Sequence, residues 1–403
     1  MRVMVSAGFG EGHAFPALAL ARELGARGHR VLVELSERWR ETVTGLGMEF
    51  TPAVDYVAFP AAAPADAGQA TVIETVEGLR PVLERFSPDL VVADMVAPAP
   101  GLAAELTRVS WASLIPLVYP VQGRGLPPFE QGFVAPRTRL TYTVWSALEP
   151  ATRRWRRSGR WLRRVPRLVD STRAELGLPP LAADRAVTTY GPLSEELALV
   201  ATFPQLEYPR RWPTHVHVTG PLAFEVPHPD VELPPGDGPL IVVAASTVHA
   251  GEELVRATLR GLAAEPVRVV ATVNRRGTTW PGPVPPNAAV VDWLSYSQVL
   301  PLAAAVVTSG GHGTVARALC AGVPPLVVPA GAETAENGAR VTWAGAGLMV
   351  PRRLAAPASL RAALGRLLEE ERFAARAGEL AAWAAANDGA RRAAEVIEAY
   401  AAR

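Results

Sequence analysis

A histidine and an aspartate stand where two side chains can share a proton. His13 closes the glycine-rich segment Gly8-Phe9-Gly10-Glu11-Gly12, and Asp94 ends the apolar run Leu90 to Ala93. In a parallel sheet both segments open into one crevice, where Asp94 can orient the imidazole and stabilise its charged form. A helix start disfavours that charged form, so we expect His13 to be a neutral base near pH 7. The alternative is that each residue only caps a helix or lies in a solvated loop.

A second glycine-rich segment has the residue types that bind an anion. It reads Ser309-Gly310-Gly311-His312-Gly313-Thr314 and follows an apolar run. Its backbone N–H groups, the Thr314 hydroxyl and the start of the following helix can hold a diphosphate without a lysine or a metal. The other interpretation of such a segment is a tight turn.

The first glycine-rich segment does not match the dinucleotide-binding fingerprint. The pattern G-x-G-x-x-G requires glycine where His13 stands. Glu34, after the next apolar run, has the position of the ribose-binding acid of that fingerprint, so the dinucleotide alternative is weakened but stays open.

Two further segments offer groups for a nucleotide and a sugar. Trp293 follows the run Val290-Val291-Asp292, where an indole face can stack on a base or pack in the core. The loop that contains Glu333, Thr334 and Asn337 offers a carboxylate to sugar hydroxyls. Its alternative role is capping of the helix that follows.

Alternating strand and helix patterns must position these residues. Short β-branched runs alternate with helical segments in both halves of the chain, which predicts parallel sheets in an α/β fold. We expect a first domain over 1–218, a proline- and glycine-rich linker over 219–238, a second domain over 239–386 and a final helix within 387–403. The segment from Gly123 to Pro213 is irregular, and we expect helical additions there.

Composition narrows the classes of function. The 403 residues carry 40 basic and 39 acidic side chains, so no net charge recruits nucleic acid. All the basic residues except histidines are arginine, which excludes Schiff-base lysine chemistry and the P-loop lysine. The single cysteine, Cys320, excludes cysteine-rich zinc sites. The sequence has neither an N-terminal signal pattern nor a membrane-spanning run, which predicts a cytoplasmic protein. We expect a monomer or a homodimer.

An arginine-rich stretch could act on its own. Eight arginines, interleaved with Trp155 and Trp161, lie between Arg153 and Arg167. Their spacing favours the solvated face of an amphipathic helix that ends before Pro166, with peripheral membrane contact as the second interpretation. His215, His217 and His228 have irregular spacing, which favours non-catalytic roles.

The chain resembles family 1 glycosyltransferases of the GT-B fold, in particular the bacterial enzymes that glycosylate macrolides, polyketides and similar natural products. The similarity spans nearly the whole chain and is most specific in four segments: Val291-Asp292-Trp293-Leu294, Val299-Leu300-Pro301, Ser309 to Thr314, and Ala321-Gly322-Val323-Pro324. Glu333 with Asn337, and Gly12-His13 with Pro16, match further motifs of the family.

The resemblance implies two Rossmann-like domains that face each other across a cleft, and the final helix crossing back to the first domain. It also implies metal-independent, inverting transfer of a sugar from a dTDP- or UDP-linked donor to a hydroxyl of a hydrophobic small molecule, without a cofactor. His13 is then the base and Asp94 its partner. The implied donor-binding residues are Thr247, Trp293, Ser309, Gly310, Gly311, His312, Gly313, Thr314, Glu333, Thr334 and Asn337. The implied acceptor pocket contains Phe129, Phe133, Tyr142 and Trp145.

Two departures from the family pattern affect the donor. Ser309 stands where the family usually has a histidine that reaches a phosphate, and Thr334 where it usually has a sugar-holding glutamine. We therefore expect a less hydroxylated sugar, such as a deoxysugar. Two alternatives stay open: a nucleotide-sugar epimerase, and a catalytically degenerate nucleotide-sugar-binding protein that acts as an auxiliary.

Overall fold

The structure is a computed structural model that describes the chain except for residues 9, 55–64, 159, 183, 184, 186, 189, 227, 229, 230, 246–250, 275 and 276. The side chains of 65–67, 153–158 and 160–164 are also outside the description. The strands are β1 Arg2–Ser6, β2 Arg30–Leu35, β3 Glu49–Pro52, β4 Leu90–Asp94, β5 Trp111–Ile115, β6 Val187–Thr188, β7 Gly191–Pro192, β8 Leu197–Val200, β9 Val216–Val218, β10 Leu240–Ala244, β11 Arg268–Thr272, β12 Ala288–Val291, β13 Ala303–Thr308, β14 Pro325–Val327 and β15 Leu348–Met349.

The α-helices alternate with these strands. They are α1 Glu11–Ala26, α2 Arg40–Gly45, α3 Ala65–Phe86, α4 Pro98–Thr107, α5 Arg139–Ser158, α6 Arg160–Glu175, α7 Glu252–Leu262, α8 Tyr296–Val299, α9 His312–Cys320, α10 Ala332–Ala344, α11 Pro357–Glu369, α12 Glu371–Ala386 and α13 Gly389–Ala401. Short 3₁₀ turns lie at Glu37–Trp39, Pro204–Leu206, Leu300–Leu302 and Arg352–Leu354.

The first sheet is parallel and buried on both faces. Its strand order is β3-β2-β1-β4-β5-β8-β9. Val3 and Val5 of β1 pack in the same cluster as residues of α1 and α13, whereas Met4 packs with residues of α3 and α4. Because β1 and β4 are neighbours in register, the segments that follow them open at the same edge of the sheet.

The second sheet repeats this arrangement with fewer strands. Its order is β12-β11-β10-β13-β14-β15, again parallel. The loop 309–311 and α9 follow β13, and α10 follows β14. The two sheets confirm the predicted α/β fold.

Two sets of contacts join the sheets. Helix α13 packs against α1, and its Glu398 accepts hydrogen bonds from Arg27 Nε at 2.9 Å and His29 Nε2 at 2.8 Å. The buried Arg340 of α10 donates a hydrogen bond from Nη1 to Oε2 of Glu207 at 2.7 Å. Glu207 belongs to the segment that follows β8. The buried Arg340 is thus paired across the junction, where an unpaired charge would be costly.

The irregular segment from Gly123 to Pro213 differs from the expectation. It contains helices α5 and α6. It also supplies β8, a fully buried strand that lies between β5 and β9 in the first sheet. Helix α6 continues past Pro166 to Glu175, so the prediction of a helix ending before Pro166 was wrong. A proline at this position removes one backbone hydrogen bond and does not end the helix. The side chains of the arginine-rich stretch up to Arg164 lie outside the described residues.

In the part of the chain that the structure describes, none of the helices is both long enough and apolar enough to cross a membrane.

Candidate active site

A cavity of about 490 Å³ is bordered by both sheets. His13, at the start of α1, lies on its wall, and so do Ser309, Gly311 and Thr314 from the loop between β13 and α9. The linker contributes Pro221 to Ala223 to the same wall. The two glycine-rich segments, nearly 300 residues apart in the chain, therefore face one space.

His13 and Asp94 form a hydrogen-bonded pair on this wall. Nδ1 of His13 is 2.9 Å from Oδ2 and 3.0 Å from Oδ1 of Asp94. The Asp94 side chain is fully buried, and its Oδ1 also accepts the Val96 N–H at 2.8 Å. The His13 side chain keeps 24% exposure. Since Asp94 holds Nδ1, Nε2 is the nitrogen available to a substrate proton.

The electrostatics of His13 correct one sequence expectation. Burial of the imidazole by itself lowers its pKa, but the charge of Asp94, the hydrogen bond to it and the charge of Glu333 together raise the pKa above 6.5. The expected neutral histidine at a helix start was wrong in direction, because a buried carboxylate in contact outweighs the partial charge of a helix terminus. Asp94 therefore stabilises the imidazolium that forms after proton uptake.

The opposite wall is built mainly from backbone. Gly310 has φ of +89°, and a Cβ there would lie 2.8 Å from the Thr334 carbonyl oxygen and from Val327 Cγ1. Only glycine adopts this close left-handed turn without strain. The turn brings the chain to Gly311, the N-cap of α9, so that unsatisfied N–H groups of the first helical turn border the cavity.

His312 and Asn337 stabilise this turn through side-chain hydrogen bonds. Nδ1 of His312 is 3.3 Å from Asn337 Oδ1, and Asn337 Nδ2 donates to the Gly310 carbonyl oxygen at 2.9 Å. Burial lowers the pKa of His312 to about 4, so its ring is neutral at pH 7. Asn337 and Gly310 do not border the cavity, whereas His312 does. Their contacts shape the loop that borders it.

The remaining residues predicted to bind the donor differ in whether they border the cavity and in whether their polar groups are already hydrogen-bonded. Trp293 and Glu333 border the cavity, although Trp293 also packs against the core of the first sheet. Thr334 borders it too, but its Oγ1 accepts the N–H groups of Ala330 and Gly331 and donates to the Gly331 carbonyl oxygen at 2.7 Å. This is the capping role of the alternative interpretation, and it leaves the hydroxyl occupied. Thr247 lies outside the described residues.

The predicted acceptor residues do not lie on this wall. Phe129 is buried in a core cluster, Phe133 packs against Trp145 with ring centroids 5.5 Å apart, and Phe133 and Tyr142 remain 49% and 44% exposed. None of the four borders the cavity. Position in an aromatic-rich segment did not determine which way the side chains point.

Several wall residues were not predicted to bind a substrate. Tyr190, in the turn between β6 and β7, borders the cavity. Burial and the charges of Glu333, Glu130 and Asp94 raise the pKa of its phenol well above 10, so it stays neutral. Glu130 also borders the cavity, and so does Glu34, which the sequence offered only as the ribose-binding acid of the dinucleotide alternative. Tyr190 had no sequence signal, because two-residue strands carry no readable periodicity.

A metal centre was not predicted. Among the described residues, no group of three or more histidine, cysteine, aspartate or glutamate side chains is arranged to hold a metal ion.

Comparison with known proteins places this geometry in a family. Residues 256–400 match the model of the C-terminal domain of erythromycin biosynthesis protein CIII-like proteins. The chain is 31% identical to 4'-demethylrebeccamycin synthase of Lentzea aerocolonigenes over 98% of this chain and 99% of that one. It is 28% identical to O-mycaminosyltylonolide 6-deoxyallosyltransferase of Streptomyces fradiae over 100% and 98% of the two chains.

A solved structure with the same fold is the glycosyltransferase VinC in complex with dTDP. It superposes with a TM-score of 0.69 at 19% identity and covers all of both chains. Together with the full-length similarity to the rebeccamycin-type enzyme, this confirms the resemblance noted in the sequence: the chain belongs to the GT-B glycosyltransferases of natural-product biosynthesis.

Proposed function

We propose that this protein is an inverting glycosyltransferase that moves a deoxysugar from a dTDP-linked donor to a hydroxyl of a hydrophobic natural product. The observation that carries the proposal is the His13–Asp94 pair, 2.9 Å apart, on the wall of a cavity that the 309–314 loop also borders. The pair can remove a proton, and the loop can receive a diphosphate.

The proposed step is a single displacement. The acceptor hydroxyl gives its proton to Nε2 of His13 while its oxygen forms a bond to the anomeric carbon. The bond from that carbon to the diphosphate oxygen breaks, and its electron pair leaves with the nucleoside diphosphate. Attack from the face opposite the leaving group inverts the anomeric configuration.

Charge develops at both ends of this step, and each wall is suited to one of them. The imidazolium of His13 forms beside the carboxylate of Asp94, which raises its pKa in the free protein as well. The leaving diphosphate would meet the N–H groups at the start of α9 and the Thr314 hydroxyl, which need no reorganisation. We propose that this cradle makes a divalent metal unnecessary, and unchanged turnover in excess EDTA is the expected result.

The proposal of a deoxysugar donor rests on the hydroxyl groups of Thr334 and Ser309. Because the Thr334 hydroxyl is used within its own loop, it has little capacity left for sugar hydroxyls, which favours a sugar with fewer of them. Ser309 keeps one hydroxyl donor for a phosphate. The relative named as a 6-deoxyallosyltransferase and the structural neighbour with dTDP support the same class of donor.

A product analysis tests the reaction. Incubation with a dTDP-deoxysugar and a panel of hydroxylated aglycones should give a glycoside whose anomeric configuration, measured by NMR, is opposite to that of the donor. Retained configuration would contradict the proposal, and faster transfer from UDP-glucose would contradict the donor. Incubation with donor alone separates the epimerase, which changes the sugar without an acceptor. Donor binding by calorimetry without product for any acceptor would favour the non-catalytic alternative.

The role of Asp94 can be tested separately through pH. In Asp94→Asn the neutral amide no longer raises the pKa of His13, so the acid limb of the kcat/KM profile should move to lower pH while turnover falls by roughly two orders of magnitude. The amide oxygen can still accept the Val96 N–H, which keeps the fold. An unshifted acid limb would exclude His13 as the titrating base.

A further inference from the structure

We propose that Glu34 recognises the acceptor: its carboxyl binds an N–H or O–H donor of the aglycone that is separate from the hydroxyl receiving the sugar. This inference rests on the proposed function, since it names a substrate feature of the same cavity.

Glu34 lies on the part of the wall that belongs to the first sheet. It pairs in register with Ser6 at the ends of β2 and β1. Alternation along the strand puts it on the same face as Leu32, which packs with residues of α3 and α4. The first domain also lines the cavity with Thr75 and with several apolar residues: Ala53, Val54, Val96, Ala97 and Pro100.

Two hydroxyl side chains of the first domain, Thr75 and Ser6, also line the cavity. Thr75 already donates its hydroxyl to the Thr71 carbonyl oxygen at 2.7 Å. The Ser6 hydroxyl is engaged with Glu34 itself. The hydrogens of both hydroxyls are thus engaged, whereas Glu34 has a buried oxygen that makes no hydrogen bond with any described residue.

The carboxyl is buried but incompletely paired. Glu34 is 2% exposed, and its Oε2 makes no hydrogen bond with any described residue. A buried oxygen in that state loses its hydration without replacement, which costs stability unless a ligand supplies a donor. Most buried side-chain polar atoms have at least one hydrogen-bond partner, so an unpaired carboxyl oxygen on a cavity wall calls for an explanation.

The chemistry of the site favours a donor on the ligand. Burial raises the pKa of Glu34 to about 7, more than the Ser6 hydrogen bond lowers it, so the neutral acid and the carboxylate are both present near pH 7. In either form the carboxyl keeps an oxygen that accepts a hydrogen bond. A phenolic or heteroaromatic aglycone with a second O–H or N–H would satisfy Oε2 and fill the apolar surroundings. A fully O-alkylated aglycone of the same shape would leave that oxygen unpaired and should bind less well.

Matched acceptor pairs test this assignment. We would measure kcat/KM with a dTDP-sugar for a panel of hydroxylated aromatics, each beside its mono-methyl ether, starting with 2,7-dihydroxynaphthalene and 7-methoxy-2-naphthol. The wild type should prefer the diols by about ten- to a hundred-fold, as expected when the methyl ether leaves a buried acceptor oxygen without a hydrogen bond. In Glu34→Leu this preference should fall below about twofold, with the KM for the dTDP-sugar unchanged.

Controls separate recognition from folding. Glu34→Gln keeps the shape and an acceptor oxygen, and should retain part of the preference. Glu49→Gln, at an exposed carboxyl on the adjacent strand β3, should retain all of it. A selectivity ratio is insensitive to the fraction of folded enzyme, so partial unfolding of the leucine variant does not affect the result.

The possible failures are distinguishable. If the wild type transfers sugar but treats each diol and its methyl ether alike, or if Glu34→Leu keeps the preference, the assignment of Glu34 is overturned and the proposed function stands. If the wild type transfers sugar to no hydroxylated aglycone, the proposed function itself is overturned, and this inference with it.

Discussion

The two walls of the cavity are built differently. The wall from the first sheet carries its chemistry in side chains, His13 and Asp94, each fixed by a specific hydrogen bond. The wall from the second sheet carries it in backbone, at a turn that Gly310 makes possible and that Asn337 holds from behind. The proposed function of the first wall therefore depends on which side-chain groups are present, and that of the second wall depends on the path of the backbone.

This difference predicts which substitutions matter. On the first wall, removing a functional group should abolish a step even when the backbone is unchanged. On the second wall, removing a side chain should cost little, whereas adding a single carbon atom at a left-handed position should displace the binding groups.

The largest effect should follow loss of the base. His13→Ala should lower turnover by roughly two to four orders of magnitude, because it removes the proposed base. Calorimetry with dTDP should show affinity within about twofold of the wild type, since we propose that the diphosphate binds at the other wall. Full turnover in the variant would remove His13 from the mechanism.

The buried carboxyl of the same wall should control stability through pH. Burial raises the pKa of Glu34 to about 7 from its ordinary 4.5, against a smaller lowering by the Ser6 hydrogen bond. The folded state therefore binds the proton more tightly, and this contribution is complete below pH 4.5 and is lost as pH rises through 7. Relative to Glu34→Gln, the wild type should lose on the order of 3 kcal/mol of unfolding free energy over that window.

Urea unfolding at several pH values measures this difference. The matched control is again Glu49→Gln, whose difference from the wild type should stay constant over the same pH range. A difference between wild type and Glu34→Gln that does not change with pH would mean that the carboxyl is not desolvated in the folded protein.

On the second wall, Gly310→Ala should have a smaller but clear effect. Its Cβ would lie 2.8 Å from the Thr334 carbonyl oxygen at a φ of +89°, and relieving that contact should cost about 1–3 kcal/mol and move the loop. We expect roughly tenfold weaker dTDP binding by calorimetry. Gly365→Ala, in α11, where a Cβ would lie 4.0 Å from the Glu369 Oε1 atom, is the control and should bind dTDP normally.

The smallest effect should come from a side chain of the same loop. Ser309→Ala removes one hydroxyl from a cradle made mainly of N–H groups, so dTDP affinity should fall by less than about fivefold. A loss greater than that of Gly310→Ala would reverse the comparison and show that this wall, too, acts through side chains.

The sequence predicted the parts of the site that follow strand ends. Asp94 is the last residue of the buried strand β4, and His13 lies in the first turn of α1, which follows β1. Because β1 and β4 are neighbours, strand order brings the two residues to the same edge of the sheet. Both glycine-rich segments are readable for the same reason. The raised pKa of His13 was not predictable, because it depends on contact distances that no spacing reveals.

Residues on irregular segments could not be placed from sequence. Phe133 and Tyr142 lie in an aromatic-rich stretch, yet the structure turns them away from the cavity. Glu34 was noticed only as a ribose-binding acid of a fingerprint that His13 breaks. Which wall it borders, and that one oxygen is unpaired, depends on the packing of α3 and α4 over the first sheet.

The return of α13 to the first domain has a topological consequence. The Met1 amino nitrogen is 3.3 Å from His29 Nδ1, and the other ring nitrogen of that histidine is 2.8 Å from Glu398, near the opposite chain end. The chain thus leaves the first domain, forms the second domain and returns through α13, so two segments of the chain connect the two domains. Two connections restrict rotation of the second domain relative to the first more than a single linker would, which favours keeping the two cavity walls opposite each other.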